Sequence, residues 1–322
     1  MKLRITHCDL DSTSTVVDRV FGISFDKVNY TNYGDKCELL FLDKLDENSE
    51  VWYTDFSPNE DAQKIIAESG AKCFIFDHHE SVKESIDNWM KDYQNVKYYF
   101  DNDKSGTKIY YDEIKKDYEF NSCLDEYVNL VSTYDLFDKE NPYWEKAEKL
   151  NRCFFKSLCY YKEGVEKFET YIKSQVYKCK NYEHFEFTTW ELEKIQKDIN
   201  EENELFNNII TNKECMKTRK DEYDNYFVVV KLKKKISVIA SRLLEKYKKL
   251  QYVIVINEYV VDDWKISLRS RKGFNLLDFE YCSGHEEACG ISSEECNINE
   301  IAHAIWEGKK YSLNKRIIEK NT

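Results

Sequence analysis

The fold is decided by the stretch KLRITHCDLDS at residues 2–12. Its apolar start predicts a β-strand over Leu3–Thr6, and a histidine and two aspartates follow at alternate positions. Residues two apart in a strand lie on one side, so His7, Asp9 and Asp11 would converge on one small volume if the strand geometry continues to Asp11. Two carboxylates that close repel each other unless a positive charge offsets them. A divalent metal ion, an arginine or lysine, or solvent around a splayed turn could each do so.

The first half of the chain alternates strand and helix patterns. The predicted strands are Leu3–Thr6, Lys27–Tyr33, Glu50–Thr54, Ala71–Phe76 and Val96–Phe100. The predicted helices are Ser14–Phe21, Cys37–Leu45, Glu60–Ser69, Val82–Met90, Thr107–Lys116 and Leu124–Tyr134. Such alternation is typical of crossover units, so we predict an α/β fold with a parallel sheet. Ligands of such sheets bind beyond the carboxyl ends of the strands.

The second half predicts two further regions. Residues 143–219 have a helical and highly charged pattern, typical of an amphipathic connector with a solvated face. A second, smaller α/β unit follows, with strands at NYFVVVKL, YVIVINEY and DWKISLRS and a helix at ISVIASRLLEKYKK. The predicted domains are 1–190, a helical connector over 191–219, and 220–322.

Composition limits the class of function. The chain has 322 residues and a net charge of −12, which disfavours a long nucleic-acid track over the whole surface. No apolar run approaches the roughly 18 residues of a membrane span, and the N-terminus lacks a signal-peptide pattern. The eleven cysteines include no CxxC pair, which favours reduced thiols over structural zinc. A cytoplasmic protein that contacts no membrane is the expectation.

Further acids and imidazoles follow the predicted strands. Asp55 ends the third strand, "FDHH" at the end of the fourth gives Asp77 and His78–His79, and the helical YVNLVSTYDLF carries Asp135. Taken singly, Asp55 could cap the helix that begins near Asn59, and the two histidines could lie in a surface turn. Together with Asp9, Asp11 and His7, these residues place five acids and several imidazoles at one rim of one sheet, which favours a shared site.

The order of these motifs resembles the DHH phosphoesterase superfamily. HCDLD is close to the first family motif, HxDxDG, Asp55 matches the isolated aspartate of the second, and residues 77–79 match the DHH triplet. KISLRSRKGF and CSGHEEACG resemble the SxRS strand and GGGHxxAxG loop of the DHH-associated C-terminal domain. Ser12 replaces the usual glycine or alanine, and only Gly284 remains of three glycines.

The resemblance implies a centre with two Mn²⁺ ions, Mg²⁺ being an alternative, since all ligands are oxygen or imidazole. The implied ligands are His7 and Asp9 for one ion, Asp11, His78 and Asp135 for the other, and Asp55 as the bridge. Asp77 would orient a neighbouring imidazole. His79 would contact the scissile phosphate or the leaving oxygen.

The resemblance also implies substrate-binding residues in the C-terminal unit. The expected residues are Arg269, Ser270, Gly284 and His285, and the active site is expected in a cleft between the two domains. Arginine offers a planar fork for phosphate, and glycine lets the backbone approach a ligand closely. The alternatives from the residues alone are a surface arginine on an edge strand and a loop histidine without a ligand.

The expected function is a metal-dependent phosphodiesterase or phosphatase for short oligonucleotides or nucleotide phosphates, similar to the nanoRNase and 3′-phosphoadenosine-5′-phosphate phosphatase branch. Linear and cyclic dinucleotides are equally compatible substrates. The alternatives are a single-strand-specific RecJ-like exonuclease, a family II inorganic pyrophosphatase and a non-catalytic nucleotide sensor. The expected partner is a short nucleotide substrate rather than long duplex nucleic acid, and a homodimer is left open.

Overall fold

Two β-sheets form the framework of the described fold, one in the N-terminal part of the chain and one in the C-terminal part. The computed structural model describes residues 1–31, 39–156, 165–212, 214–221, 223–258, 264–279, 282–291 and 298–308. The chain divides into two compact units, Met1–Asp198 and Ile199–Thr322. The domain boundaries predicted from the sequence stay predictions. Within the described residues, no helix is long and apolar enough to cross a membrane.

The first unit contains a five-stranded parallel sheet. Its strands are β1 (Lys2–Thr6), β2 (Lys27–Tyr30), β3 (Glu50–Thr54), β4 (Lys72–Asp77) and β5 (Val96–Phe100). The described order is β2-β1-β3-β4-β5, and every pair is parallel. The predicted α/β fold with a parallel sheet is therefore confirmed. All five strands end at the same edge, which places the segments that follow β1, β3 and β4 side by side.

Apolar strand residues form the core of this unit. Leu3, Ile5, Val51, Tyr53 and Ile75 are fully buried. Burial of each such side chain stabilises the fold by about 1.5–3 kcal/mol, because apolar surface leaves water. The central strands are buried on both faces, as crossover helices require. The sheet is thus a rigid base for the residues at its carboxyl edge.

Helices lie between these strands or follow β5 in the chain. They are α1 (Ser14–Phe21), α2 (Glu60–Ser69), α3 (Glu80–Asp92), α4 (Gly106–Ile114), α5 (Ser122–Asp135), α6 (Trp144–Lys156), α7 (Val165–Asn181) and α8 (Thr189–Thr211). Asn59 caps α2, since its side chain accepts a hydrogen bond from the backbone N–H of Ala62. The cap of α2 is therefore Asn59 and not Asp55, which remains available for the site.

The helix predicted over Cys37–Leu45 is wrong in its described part. Residues 32–38 lie outside the described residues, and Leu42–Lys44 forms only a 3₁₀ turn. Phe41, just before that turn, has a φ of 79°. This left-handed backbone conformation interrupts an α-helix, because the hydrogen bonds of an α-helix require right-handed φ and ψ angles at every residue.

The second unit contains a mixed sheet. Its strands are β6 (Met216–Lys220), β7 (Tyr226–Lys231), β8 (Leu250–Glu258), β9 (Trp264–Ser270), β10 (Cys282–His285) and β11 (Ala288–Ile291). The described order is β10-β11-β9-β8-β7-β6, with β7 and β8 parallel and the other pairs antiparallel. The helix α9 (Ile236–Lys246) connects β7 to β8, and α10 (Ile298–Glu307) follows β11. The predicted second α/β unit is confirmed.

The predicted helical pattern extends too far at its C-terminal end. Met216–Lys220 is the strand β6, which pairs antiparallel with β7, although the helical region was predicted to continue to Arg219. Met216 packs against the core of the second unit. The pairing with β7 satisfies the backbone of this charged segment, an effect that its local side-chain pattern does not reveal.

Candidate metal centre

The carboxyl edge of the first sheet brings together the residues that follow its strands. The sequence-predicted ligands and their neighbours here are His7, Asp9 and Asp11 after β1, Asp55 after β3, Asp77–His79 at the end of β4, and Asp135 as the last residue of α5. Among the described residues, three groups place possible ligand atoms within 4.8 Å of one another. These groups are His7, Asp9 and Asp55; Asp11, His78 and Asp135; and Asp55, Asp77, His78 and His79.

Asp55 lies between two of the imidazoles. Its Oδ1 is 3.4 Å from Nε2 of His78, and its Oδ2 is 3.6 Å from Nδ1 of His7. The residue is 2% exposed and has a φ of 53°, a costly conformation for an aspartate in a buried position. Burial would raise the pKa of Asp55, but the nearby imidazoles of His7, His78 and His79 outweigh burial and hold this pKa well below its usual range.

His7 contacts two carboxylates. Its Nδ1 is 3.0 Å from Oδ2 of Asp9, whose Oδ1 accepts a hydrogen bond from the backbone N–H of Ser12 at 3.1 Å. Burial lowers the pKa of His7, but Asp9 and Asp55 outweigh burial and raise this pKa to about 11. Without a metal ion the imidazole therefore carries a proton near neutral pH.

Asp11 is held by the N-terminus of α4. Its Oδ2 accepts a hydrogen bond from the backbone N–H of Gly106 at 2.6 Å, and its Oδ1 accepts one from Thr107 at 3.0 Å. The Thr107 hydroxyl also donates to the backbone carbonyl of Asp11. Burial, together with the charges of Asp55 and Asp135, nevertheless raises the pKa of Asp11 well above its usual range.

The role of residues 105–107 in supporting the site was not predicted from the sequence. Ser105 accepts the N-cap hydrogen bond of α4, and a serine before a helix pattern is a detectable N-cap signal. Gly106 also contacts the backbone of Asp55. A Cβ at Gly106 would lie 2.6 Å from both the Cα and the backbone N of Asp55. Real atoms do not approach so closely, so only glycine fits here. The start of α4 thus supports two of the candidate ligands.

Asp77 accepts hydrogen bonds from residues near it in the sequence and from Ser57. Its Oδ1 accepts hydrogen bonds from Nδ1 of His79 at 2.7 Å and from the backbone N–H groups of His78 and His79. Its Oδ2 accepts a hydrogen bond from the Ser57 hydroxyl at 2.5 Å. Ser57 was also missed at the sequence level. These hydrogen bonds hold the Asp77 carboxylate against the His79 ring, so this residue is suited to orient His79.

His78 connects Asp55 to Asp135. Its Nε2 is 3.3 Å from Oδ2 of Asp135. Burial lowers the pKa of His78, but Asp55 and Asp135 outweigh burial and raise it to about 10. Burial is also the main cause that raises the pKa of Asp135, to about 7, with His78 acting in the opposite direction.

The donor set fits divalent metal ions. Within the described residues, Oδ2 of Asp55 and Oδ2 of Asp135 are buried and accept no hydrogen bond. Buried carboxylate oxygens without a donor are costly unless a cation or a proton satisfies them. Carboxylates and imidazoles without thiolates suit Mg²⁺ or Mn²⁺. The cluster therefore has a donor set suited to a divalent metal ion.

The other predicted substrate-binding residues lie in the second unit. Arg269, on β9, donates from Nη2 to the Ser237 hydroxyl at 2.7 Å, and the Ser270 hydroxyl donates to the Phe274 carbonyl at 2.7 Å. Gly284 has a φ of 131°, and a Cβ there would lie 2.7 Å from the carbonyl oxygen of Ala288. The backbone of His285 belongs to β10, and its side chain lies outside the described residues.

The known proteins to which the chain is similar are solved structures. No protein-family profile and no curated protein matches the chain. PggH, a pGpG-specific phosphodiesterase from Vibrio cholerae, matches with a TM-score of 0.53 at 13% identity, over 96% of this chain and 98% of that one. An uncharacterized protein from Helicobacter pylori G27 matches at 17% identity with a TM-score of 0.39, over 95% and 98% of the two chains.

A further match carries the family name. The DHH domain of a protein described as a member of a ribosomal-protein family is similar over 95% of this chain and 86% of that one, with a TM-score of 0.54 at 12% identity. Identities this low show the fold alone. The motif order, the parallel sheet and this match agree. The fold implied by the resemblance to the DHH phosphoesterases is therefore confirmed. The chain is therefore similar in fold to that DHH domain.

Proposed function

We propose that the chain is a two-metal-dependent phosphodiesterase that hydrolyses short oligonucleotides or nucleotide phosphates. The position of Asp55 carries the proposal, because its two carboxylate oxygens face two different imidazoles, His7 and His78. A carboxylate in that position can bridge two cations. The PggH match supports this class of reaction, since that protein is a phosphodiesterase that acts on the dinucleotide pGpG.

The ligands divide into two sets around Asp55. His7 and Asp9 would hold one ion, and Asp11, His78 and Asp135 would hold the other. Two bound divalent ions would supply activation of water and stabilisation of the charge that develops on phosphate. The hydrogen bonds from α4 keep the Asp11 carboxylate in place, and the Ser12 N–H does the same for Asp9. We propose Mn²⁺ as the preferred ion, with Mg²⁺ as the alternative.

His79 is the proposed proton donor to the leaving oxygen. Asp77 accepts the hydrogen bond from Nδ1 of this imidazole, which fixes the ring. The other ring nitrogen, Nε2, would then donate the proton to the leaving oxygen. The Ser57 hydroxyl and two backbone N–H groups fix Asp77 in turn. The proposed catalytic pair is therefore His79 with Asp77 as its orienting partner. Substrate binding by Arg269, Ser270, Gly284 and His285 stays a prediction from the sequence.

A substrate panel tests this function. In Mn²⁺, we expect turnover of linear dinucleotides and of 3′-phosphoadenosine-5′-phosphate to exceed that of pyrophosphate and of long single strands. Chelation should abolish turnover and Mn²⁺ should restore it, because an all-oxygen and imidazole site depends on a divalent ion. Full turnover after exhaustive chelation would exclude the metal mechanism. Preference for pyrophosphate would favour a pyrophosphatase, and tight nucleotide binding without turnover would favour a sensor.

Metal binding should release protons. Near pH 7 the raised pKa values of His7 and His78 keep these imidazoles protonated without metal, whereas a metal ligand must be a neutral imidazole. We therefore expect Mn²⁺ binding to release at least about one proton per chain and to tighten as pH rises. Calorimetric titration in two buffers of different ionisation enthalpy measures the released protons. The same heat in both buffers would contradict the assigned histidine ligands.

A further inference from the structure

Phe137 has an unusual backbone conformation two residues after the candidate ligand Asp135. The helix α5 ends at Asp135, and the backbone N–H of Phe137 donates to the carbonyl of Tyr134 while that of Asp138 donates to Thr133. These two hydrogen bonds define a Schellman motif, whose left-handed position is usually glycine. Here Phe137 has that position, with a φ of 53°.

A phenylalanine at this position has a cost that its packing does not explain. Left-handed backbone is unfavourable for a residue with a Cβ atom, and glycine would adopt it freely. The side chain of Phe137 remains 50% exposed, so it buries much less apolar surface than a core phenylalanine. Strained residues beside a site are a reason to look for function.

The surroundings of the ring combine aromatic and cationic groups. The Phe137 ring meets the Trp144 ring edge to face, with centroids 5.1 Å apart, and Trp144 stacks on Tyr134. The Lys139 ammonium is 4.7 Å from the centroid of Phe137 and 5.9 Å from that of Trp144. The contact with Trp144 fixes the ring, and the lysine ammonium lies over the aromatic pair. This combination is typical of surfaces on which nucleobases stack.

We propose that Phe137 is a stacking surface for a base of the nucleotide substrate, an inference that rests on the proposed function. Two residues of extended chain span at most about 7 Å, so the Phe137 backbone lies close to Asp135 and the metal centre. A base linked through its ribose to the scissile phosphate lies at a comparable distance from that phosphate. Phe137 would therefore set the preference for a substrate with a base over phosphate alone.

The test measures binding of a non-hydrolysable dinucleotide to the Mn²⁺-loaded protein. We expect Phe137→Leu to raise its Kd about 5- to 30-fold, because leucine keeps apolar volume but loses the aromatic face. Phe137→Trp should bind within about threefold of the natural protein, since tryptophan retains a stacking face. The Kd of inorganic phosphate and the stoichiometry of bound Mn²⁺ should stay unchanged in both variants.

Two further variants separate stacking from folding effects. Phe137→Gly suits the left-handed backbone, so it should fold with its Schellman motif intact and yet weaken dinucleotide binding as much as Phe137→Leu. Phe120→Leu is the matched control, because Phe120 is 76% exposed and precedes the other end of α5. It should leave the dinucleotide Kd unchanged.

Other outcomes would overturn the inference. An unchanged dinucleotide Kd in Phe137→Leu and Phe137→Gly would show that no base stacks there. A parallel loss of phosphate or Mn²⁺ binding would show that Phe137 acts through Asp135 instead. If the natural protein binds Mn²⁺ and phosphate but neither a dinucleotide nor 3′-phosphoadenosine-5′-phosphate, the proposed function itself fails, and this inference fails with it.

Discussion

Replacing Asp55 with asparagine is expected to lower kcat for a dinucleotide by at least about a thousandfold, equivalent to roughly 4 kcal/mol of barrier. Asp55 is the residue whose two oxygens face His7 and His78, and Oδ2 accepts no hydrogen bond within the described residues. An amide keeps the shape but removes the charge and one acceptor. Both proposed cation sites would lose their shared ligand, so the effect should exceed that of losing an outer carboxylate.

Comparison with other aspartates makes this prediction specific. Asp9→Asn should be milder, because Asp9 belongs to only one of the ligand groups and its side chain is 36% exposed. Asp101→Asn is the neutral control, since Asp101 pairs with Lys104 and belongs to none of the ligand groups. The measurement is kcat at saturating Mn²⁺ together with the number of ions bound per chain. Activity within about tenfold of the natural protein, roughly 1.4 kcal/mol, would refute the bridging assignment.

The strand ends were predictable because they follow local rules. Apolar runs such as KCFIF predict buried strands, and parallel strands place their carboxyl ends at one edge. His7, Asp55 and His78 therefore converge in the structure as the sequence indicated. Asp135 also lies there, although it ends a helix rather than a strand.

The supporting residues were not predictable from local pattern. The Thr107 N–H reaches Asp11 across 96 positions of sequence, and Ser57 reaches Asp77 across 20. No periodicity links such pairs, because the tertiary fold alone brings them together. The strand β6 was misassigned for a similar reason, since its pairing with β7 decides its structure. Sequence therefore indicated the candidate ligands, whereas the structure adds the groups that hold these side chains in position.

Gly106→Ala tests whether these supporting contacts matter. Gly106 is the first residue of α4 and has no positive φ, so helix propensity alone predicts that alanine stabilises the fold by up to about 1 kcal/mol. The steric argument predicts the opposite sign. The new Cβ would lie 2.6 Å from Cα and N of Asp55, and backbone atoms cannot move away as a flexible side chain can. Overpacking of this kind costs about 1–3 kcal/mol.

The same substitution should weaken metal binding. Moving α4 away from Asp55 would lengthen the hydrogen bonds from Gly106 and Thr107 to the Asp11 carboxylate. Loss of such supporting contacts typically reduces metal affinity or activity about 10- to 100-fold. We expect Gly106→Ala to lower the denaturation midpoint, to raise the Kd for Mn²⁺ within that range, and to reduce turnover accordingly. Denaturant unfolding and calorimetric Mn²⁺ titration measure the two effects separately.

Gly290→Ala is the matched control for this prediction. A Cβ at Gly290 would meet only the carbonyl oxygen of Ile266 at 3.6 Å, an ordinary contact, and this glycine has no positive φ either. It should therefore leave Mn²⁺ affinity unchanged. If Gly106→Ala instead raised stability and kept Mn²⁺ affinity, the start of α4 would have moved without disturbing Asp55 or Asp11. The close approach of α4 to Asp55 would then have no role in positioning the ligands.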